Sequence, residues 1–295
     1  MTTVPARTSQ STRQRRAWTS ILGNRPALAL ITPLLILLGM FVLYPLVKLG
    51  IDSFSTGEGL SNYAAVFESA AGRKALITTV IGSVIVAVLA VGIGGICSWY
   101  IRSTKSTFAR IVLWLAVLTP FWMGTVTKNY AIVLLIAENG ALNQLLDVVG
   151  LSGLDLLYTP TAVLLGMVYT MVPYAAVSIY GALLTIDDSL LSAARSMGAS
   201  RARIIRTIVL PLAMPGIVAS TALVFAISLG FYVTPVLLGG AQTPFMATFI
   251  QDRILTFFDY GVASAASVVL LVIAIVILGL VVALVGRERL VRAIA

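Results

Sequence analysis

The chain has 295 residues, of which 59% are apolar and only 11% charged, with a mean hydropathy of +1.01. Soluble domains carry roughly 25% charged residues and avoid large apolar patches, so this composition excludes a soluble globular domain, a disordered chain and a disulfide scaffold. The net charge of +9 would suit nucleic acid, but the basic residues sit in short segments between apolar runs, the pattern of a polytopic membrane protein, and no nucleic-acid partner is expected.

Residues 1–27 are polar and basic, with Arg7, Arg13, Arg15, Arg16 and Arg25, and read as a cytoplasmic tail. The apolar run that follows is too long for the core of a signal peptide and lacks a small-residue cleavage site, so it reads as a retained first span. Apolar runs at 28–51, 75–101, 108–136, 160–184, 212–238 and 261–286 are each long enough to cross the hydrocarbon core. The expected fold is an all-α membrane protein with six transmembrane helices. A six-span domain covers 28–286, and 287–295 forms a short C-terminus.

Fifteen of the twenty basic residues fall in the tail, the connections after the second and fourth runs, and the C-terminus. Only Lys48, Arg73, Lys74 and Arg253 fall on the other side. This asymmetry places both termini in the cytoplasm. The outer connections differ. Residues 52–74, with Gly57, Gly59 and Asn62-Tyr63, read as a loop with one short helix. In 138–159 the spacing of Leu142, Leu145, Leu146 and Val149 predicts a short amphipathic helix. Cys97 is the single cysteine and lies in an apolar run, and there is no histidine, which excludes an internal disulfide and any His-based metal site or triad.

The connection between the fourth and fifth spans, 187–211, is the most informative stretch. It reads as two short helices with a break. Asp187 or Asp188 can cap the first, Gly198 suits the left-handed position that stops it, Ser200 can cap the second, and Pro211 is expected to end that helix and turn the chain into span 5. Leu190, Leu191, Ala193, Ala194 and Met197 give the first helix a small, apolar face, and Arg201, Arg203 and Arg206 decorate the second.

This segment resembles the cytoplasmic signature of ATP-binding-cassette importer permeases: Glu-Ala-Ala, three residues, Gly, nine residues, Ile-x-Leu-Pro. Here it reads Ser192-Ala193-Ala194, then Gly198, then Ile208-Val209-Leu210-Pro211. The spacing matches throughout, and Ser192 alone departs, standing where the family has glutamate. The resemblance implies that Ser192, Ala193, Ala194, Met197 and Gly198, with Leu210 and Pro211 closing the signature, form a coupling helix that docks in a groove of an ATPase subunit. The acidic contact at position 192 is then missing. Ile31-Thr32-Pro33, Tyr44-Pro45, Asn62-Tyr63, Thr119-Pro120-Phe121-Trp122, the run Asn139 to Asn143 and the run Phe231 to Gly240 are similar, in shared order, to the spermidine/putrescine-type subfamily. The implied fold is that of type I importer permeases in a bacterial inner membrane. The implied partners are two ATPase subunits, a second homologous permease and an outer solute-binding protein, with membrane lipid around the spans. The chain lacks G-x-x-x-x-G-K-[ST], so no cofactor is expected in it, and ATP with magnesium belongs to the ATPase.

Polar residues within spans point toward partners or a water-filled path. Thr170, Tyr174 and Ser178 recur every four residues on one face of span 4, with Tyr169 and Tyr180 beside them, and Ser228 lies on span 5. These residues and Lys128, the one charge well inside a predicted span, are the candidate translocation path, although Ser and Thr serve equally in helix packing. Gly216 and Ser220, at small-xxx-small spacing, read as packing, and Gly92, Gly94 and Gly95 suggest close contact in span 2 or local bending. No Asp or Glu lies inside a predicted span, so a polyamine would rely on the aromatic faces of Tyr169, Tyr174, Tyr180 and Trp122 or on acids from a partner. An ATP-independent transporter or channel would show acidic relays or an inverted repeat, and neither is visible. A non-transporting membrane scaffold would lack substrate-dependent ATP hydrolysis. No catalytic constellation argues for an enzyme.

Overall fold

The computed structural model describes residues 32–55, 60–148, 150, 155–240 and 243–294, and among them every regular element is a helix. The basic tail 1–27, Ile31, Gly57, Gly59 and Val149 lie outside the described residues. Contacts divide the chain into two units, Met1–Asp52 and Ser53–Ala295. What is described of the first is helix α1 (Thr32–Ser55) up to Asp52, none of it buried. A π turn occupies Gly39–Leu43. Pro45 follows it, and the carbonyl its ring would strike, that of Phe41, falls inside the widened turn.

The second unit contains α2 (Ser61–Glu68), α3 (Ala70–Ser103), α4 (Thr107–Trp122), α5 (Thr125–Ile136), α6 (Ala141–Val148), α7 (Pro160–Leu184) and α8 (Asp188–Ser196). It continues with α9 (Arg201–Leu229), a π turn at Pro235–Gly239, α10 (Met246–Leu255) and α11 (Tyr260–Ile294). The described side chains of α11 are those of 260–281 and 283. Helix starts follow local chemistry. The Ser69 hydroxyl accepts from Gly72 N–H at 3.0 Å to begin α3, Ser106 caps α4, and Thr159 caps α7 with Pro160 in the first turn, where its missing N–H costs nothing.

Among the described residues, six helical stretches have the length and composition to cross a membrane: Thr32–Ser55, Ala70–Ser103, Thr125–Val148, Pro160–Leu184, Arg201–Leu229 and Tyr260–Val281. Three departures from the expected runs are informative. The run at 108–136 is two helices, because Met123 and Gly124 adopt extended backbone between α4 and α5. The stretch from Thr125 to Val148 likewise turns at 137–140 before α6. The run at 212–238 is displaced. Pro211 does not stop the second connection helix, which continues unbroken into span 5 as α9. The π turn Ile205–Val209 holds the Thr207 carbonyl that the Pro211 ring would strike, so the proline is absorbed. At the far end α9 stops at Leu229, with the Gly230 N–H bonded back to the Ile227 carbonyl.

The core lies where α3, α7 and α9 pack together, α3 and α7 most extensively. Val86, Ala87 and Ala90 of α3, Met167, Met171 and Ala175 of α7, and Val224 and Phe225 of α9 are buried together. Close approach sets this crossing. A Cβ on Gly94 would sit 2.8 Å from both Ala175 Cβ and Ala176 N. The Ser98 hydroxyl bonds the Ala176 carbonyl across the gap at 2.7 Å, an interhelical contact suited to a membrane. At one end of the unit Val66, Ala75, Met246, Phe249, Val262, Ala265 and Ala266 form a second cluster, with Met246 N–H donating to the Thr79 hydroxyl at 2.7 Å. At the other end the α7–α9 connection builds a third.

Candidate functional site

The α7–α9 connection folds as the local chemistry predicts. The Asp187 carboxylate accepts from Ser189 N–H at 2.8 Å and caps α8. This backbone bond holds its pKa below the ordinary 3.8. Gly198 follows α8 at φ +75°, with the N–H of Gly198 bonded to the Arg195 carbonyl and that of Ala199 to the Ala194 carbonyl, so orphan carbonyls at the helix end are satisfied. Ser200 then accepts from Arg203 N–H at 3.3 Å to begin α9.

The apolar face read from the sequence divides in two. Leu191 and Ala194 point inward, packed with Ile179, Leu183, Ile186, Ile204, Val209 and Ala213. Leu190, Ala193 and Met197 point outward, at the three- and four-residue spacing that lines one helical face. Met197 is 81% exposed. Ser192 and Gly198 are also exposed, Leu210 is exposed and Pro211 half-buried. The Ser192 hydroxyl donates to the Asp188 carbonyl of its own helix at 2.9 Å. The connection therefore presents an exposed, mostly apolar stripe on a helix anchored from behind.

The sequence did not point to what ties that helix down. Arg102, in the last turn of α3, donates from Nη2 to the Ile186 carbonyl at 2.6 Å and to Asp188 Oδ1 at 2.9 Å. With Asp187 committed to the cap, Asp188 is left to pair. The only sequence signal was an arginine ending one span and an acidic pair opening the next connection on the same side.

The candidate path residues fall in different environments. Thr170 is buried and its hydroxyl bonds the Gly166 carbonyl at 2.9 Å. Ser228 is fully buried, and among the described residues its hydroxyl has no hydrogen-bond partner. Ser178 is half-buried. Tyr169 and Tyr174 lie toward α4: the Tyr169 hydroxyl is 4.0 Å from Met123 Sδ, the Tyr174 ring packs 5.2 Å from that of Phe121, and Tyr180 meets Trp114 edge-on at 5.0 Å. A groove of about 420 Å³ on α4, lined by Trp114, Leu118, Trp122 and Met123 among others, continues this aromatic face. Lys128 sits in the first turn of α5, 6% exposed, and among the described residues no hydrogen bond or ion pair reaches its amine. Beside it Asn129, and across from it Thr234, are both fully buried with Oδ1 and Oγ1 unpaired. A Cβ on Gly166 would stand 3.5 Å from Asn129 Oδ1 and 2.9 Å from the Thr234 methyl, so both side chains pack against this glycine. Sequence reasoning missed them because Asn129 lies beside the charge of Lys128, Thr234 lies within the run Phe231 to Gly240, and no local pattern links the two. Among the described residues no cluster of metal-ligating side chains occurs.

The model of the family described as "Binding-protein-dependent transport system inner membrane component" matches residues 16–291. The spermidine/putrescine transport system permease protein PotB of Salmonella typhimurium is 29% identical over 178 residues, 60% of this chain and 62% of that protein. The inner membrane ABC transporter permease protein YdcU of Escherichia coli is 28% identical over 193 residues, 61% of each. The matched region thus spans about three fifths of the length of these curated relatives. A chain of the bacterial alginate ABC transporter, solved in complex with its alginate pentasaccharide-bound periplasmic protein, superposes with a TM-score of 0.78 at 21% identity over 92% of this chain and 98% of that one. At that identity the likeness is one of fold.

Proposed function

The chain belongs to the family of binding-protein-dependent transport system inner membrane components, as the multi-pass permease component of an ABC importer, and we propose that it works with two ATPase subunits, a second homologous permease and an outer solute-binding protein to import a polyamine or another small organic solute. Both termini then face the cytoplasm, as the positive-inside asymmetry argues. The observation that carries the reading is the outward stripe Leu190, Ala193 and Met197 on α8, with Leu191 and Ala194 anchoring the same helix to the bundle. An apolar helix face at i, i+3 and i+7 is what a groove on a partner recognises. In this reading α8 is the coupling helix, with Ser192, Ala193, Met197 and Gly198 at the docking surface and Ala194, buried behind it, holding the helix to the bundle. Leu210 and Pro211 lie where α9 carries motion into the membrane.

ATP with magnesium acts in the ATPase. Closure of the ATPase dimer shifts the permease between two conformations by binding one better than the other, and alternating access follows from that difference. The aromatic face of α4 and α7, with Tyr169 and Tyr174, offers ring surfaces to ammonium groups. Lys128, Thr170, Ser178 and Ser228 are the polar residues proposed along the path. Replacing Lys128 by Met then lowers uptake while membrane expression holds, and unchanged uptake removes Lys128 from the path.

The test is ATP hydrolysis by the reconstituted complex, with and without spermidine or putrescine on the binding protein, run beside Met197→Glu. The expected result is stimulation by a solute that is lost in the variant, with the ATPase no longer co-purifying and the permease still folded. Stimulation that survives Met197→Glu would remove α8 from the coupling role.

A further inference from the structure

The geometry points to Arg102 as the positioning residue that holds the coupling helix to the membrane bundle; this rests on the docking role proposed for α8. The hinge between α7 and α8 is short. Its own bonds are local, Ile186 N–H to the Leu183 carbonyl and Leu190 N–H to the Asp187 carbonyl. Arg102 reaches this hinge from 84 residues away in the chain. One nitrogen, Nη2, holds both the Ile186 carbonyl and the Asp188 carboxylate. The docking stripe faces outward and the Arg102 bonds lie at the helix start, so a pull on the stripe loads the hinge. With Arg102 in place the load passes to the end of α3, and α3 packs along α7 and α9. Without it the hinge can rotate and absorb the displacement.

The two bonds are unequal. Asp188 is 88% exposed while the Arg102 side chain is 11% exposed, so water and salt screen the ion pair. The bond to the Ile186 carbonyl is charge-assisted and sheltered, with Ile186 itself 5% exposed. Nη1 of the same guanidinium is buried without an acceptor among the described residues, so Nη2 alone makes the contact with the hinge. The carbonyl, not the carboxylate, therefore carries the hold. Lysine keeps the charge but carries it on a shorter stem, so its ammonium does not reach where Nη2 sits between the two acceptors.

The experiment reconstitutes the importer with wild-type, Arg102→Met, Arg102→Lys and Asp188→Asn permease and measures uptake and ATP hydrolysis in the same vesicles. The expected result is uptake per ATP reduced about tenfold in Arg102→Met, reduced less in Arg102→Lys, and within about twofold of wild type in Asp188→Asn, with the ATPase still bound in all. Unchanged uptake per ATP in Arg102→Met overturns the assignment, as does an Asp188→Asn loss as large as that of Arg102→Met. If Arg102→Met does not assemble, the order of the other two decides: Arg102→Lys worse than Asp188→Asn supports the clamp, and the reverse order overturns it. Met197→Glu, run alongside, separates the two ideas. If it leaves coupling intact, the docking role of α8 fails, whereas if it uncouples and Arg102→Met does not, only the clamp fails.

Discussion

Where α3 crosses α7, Gly94 faces Ala175 and Ala176 so closely that Ser98 bonds a carbonyl of the other helix. On α8, Ala193 lies between Leu190 and Met197 on an exposed face. Both regions use small residues, for opposite ends. In the membrane core smallness brings two backbones together and is a condition of folding. On α8 it leaves a low, apolar surface that the chain does not need for its own stability. Substitutions at the first should act on stability, and at the second on coupling.

The largest effect is expected at Gly94. A valine there would drive its Cβ against the Ala176 backbone, which cannot swing aside as a side chain can. Overpacking of this kind costs about 3 kcal/mol. Thermal unfolding of the detergent-solubilised permease should show a clearly lowered midpoint, and an unchanged midpoint would break the comparison from the core side. Next comes the contrast within α8 itself. Leu191, 5% exposed, should cost about 2–3 kcal/mol as alanine. Met197→Ala should stay within about 0.5 kcal/mol while ATPase binding falls. Equal stability losses from the two would mean that α8 has no free face.

Gly198→Ala is smaller still. Nothing lies within 4 Å of its would-be Cβ, so no clash arises, but φ +75° is disfavoured for any residue with a Cβ. The penalty is about 1 kcal/mol, and it falls on the turn that sets the angle of α8. Uptake should therefore drop more than thermal stability does. A variant with wild-type uptake would show that the angle of α8 is not tuned by this turn.

How much of this was legible in the sequence depends on range. Features set within four residues could be read: the Asp187 and Ser200 caps, the left-handed Gly198, the short helices at Ser61–Glu68 and Ala141–Val148. The number of spans followed from apolar length alone. Their interruptions did not, because an apolar run looks the same whether Met123 and Gly124 extend or coil. Pro211 misled for a related reason: a proline reads as a stop, and only the helix geometry shows that a π turn can take up its ring. The division of α8 into an inward Leu191 and an outward Leu190 needs the packing partners Ile204 and Val209. The Arg102 clamp joins residues 84 apart, which no local pattern encodes. The packing of Asn129 and Thr234 on Gly166 is hidden in the same way.

The smallest effect belongs to Asp187, and it tests whether the cap, rather than the packing behind it, sets the order of the first turn of α8. Its carboxylate is fully exposed, and its pKa is lowered chiefly by the backbone bond from Ser189. A carboxyl whose folded pKa lies below its unfolded value stabilises the folded state above the unfolded value and loses that contribution as pH falls through the folded one. The cap is therefore constant across neutral pH and weakens only in acid below the ordinary 3.8. Amide exchange over residues 188–196, compared between wild type and Asp187→Asn at each pH, isolates the effect because intrinsic exchange cancels. Asparagine accepts the same bond without titrating, so the two should agree near neutrality and diverge only in acid, with the wild type losing protection. Divergence already at neutral pH would mean that the charge acts beyond the cap, on the helix dipole or on Arg102. The separation between a folding face and a docking face on α8 would then need the charge as well as the packing.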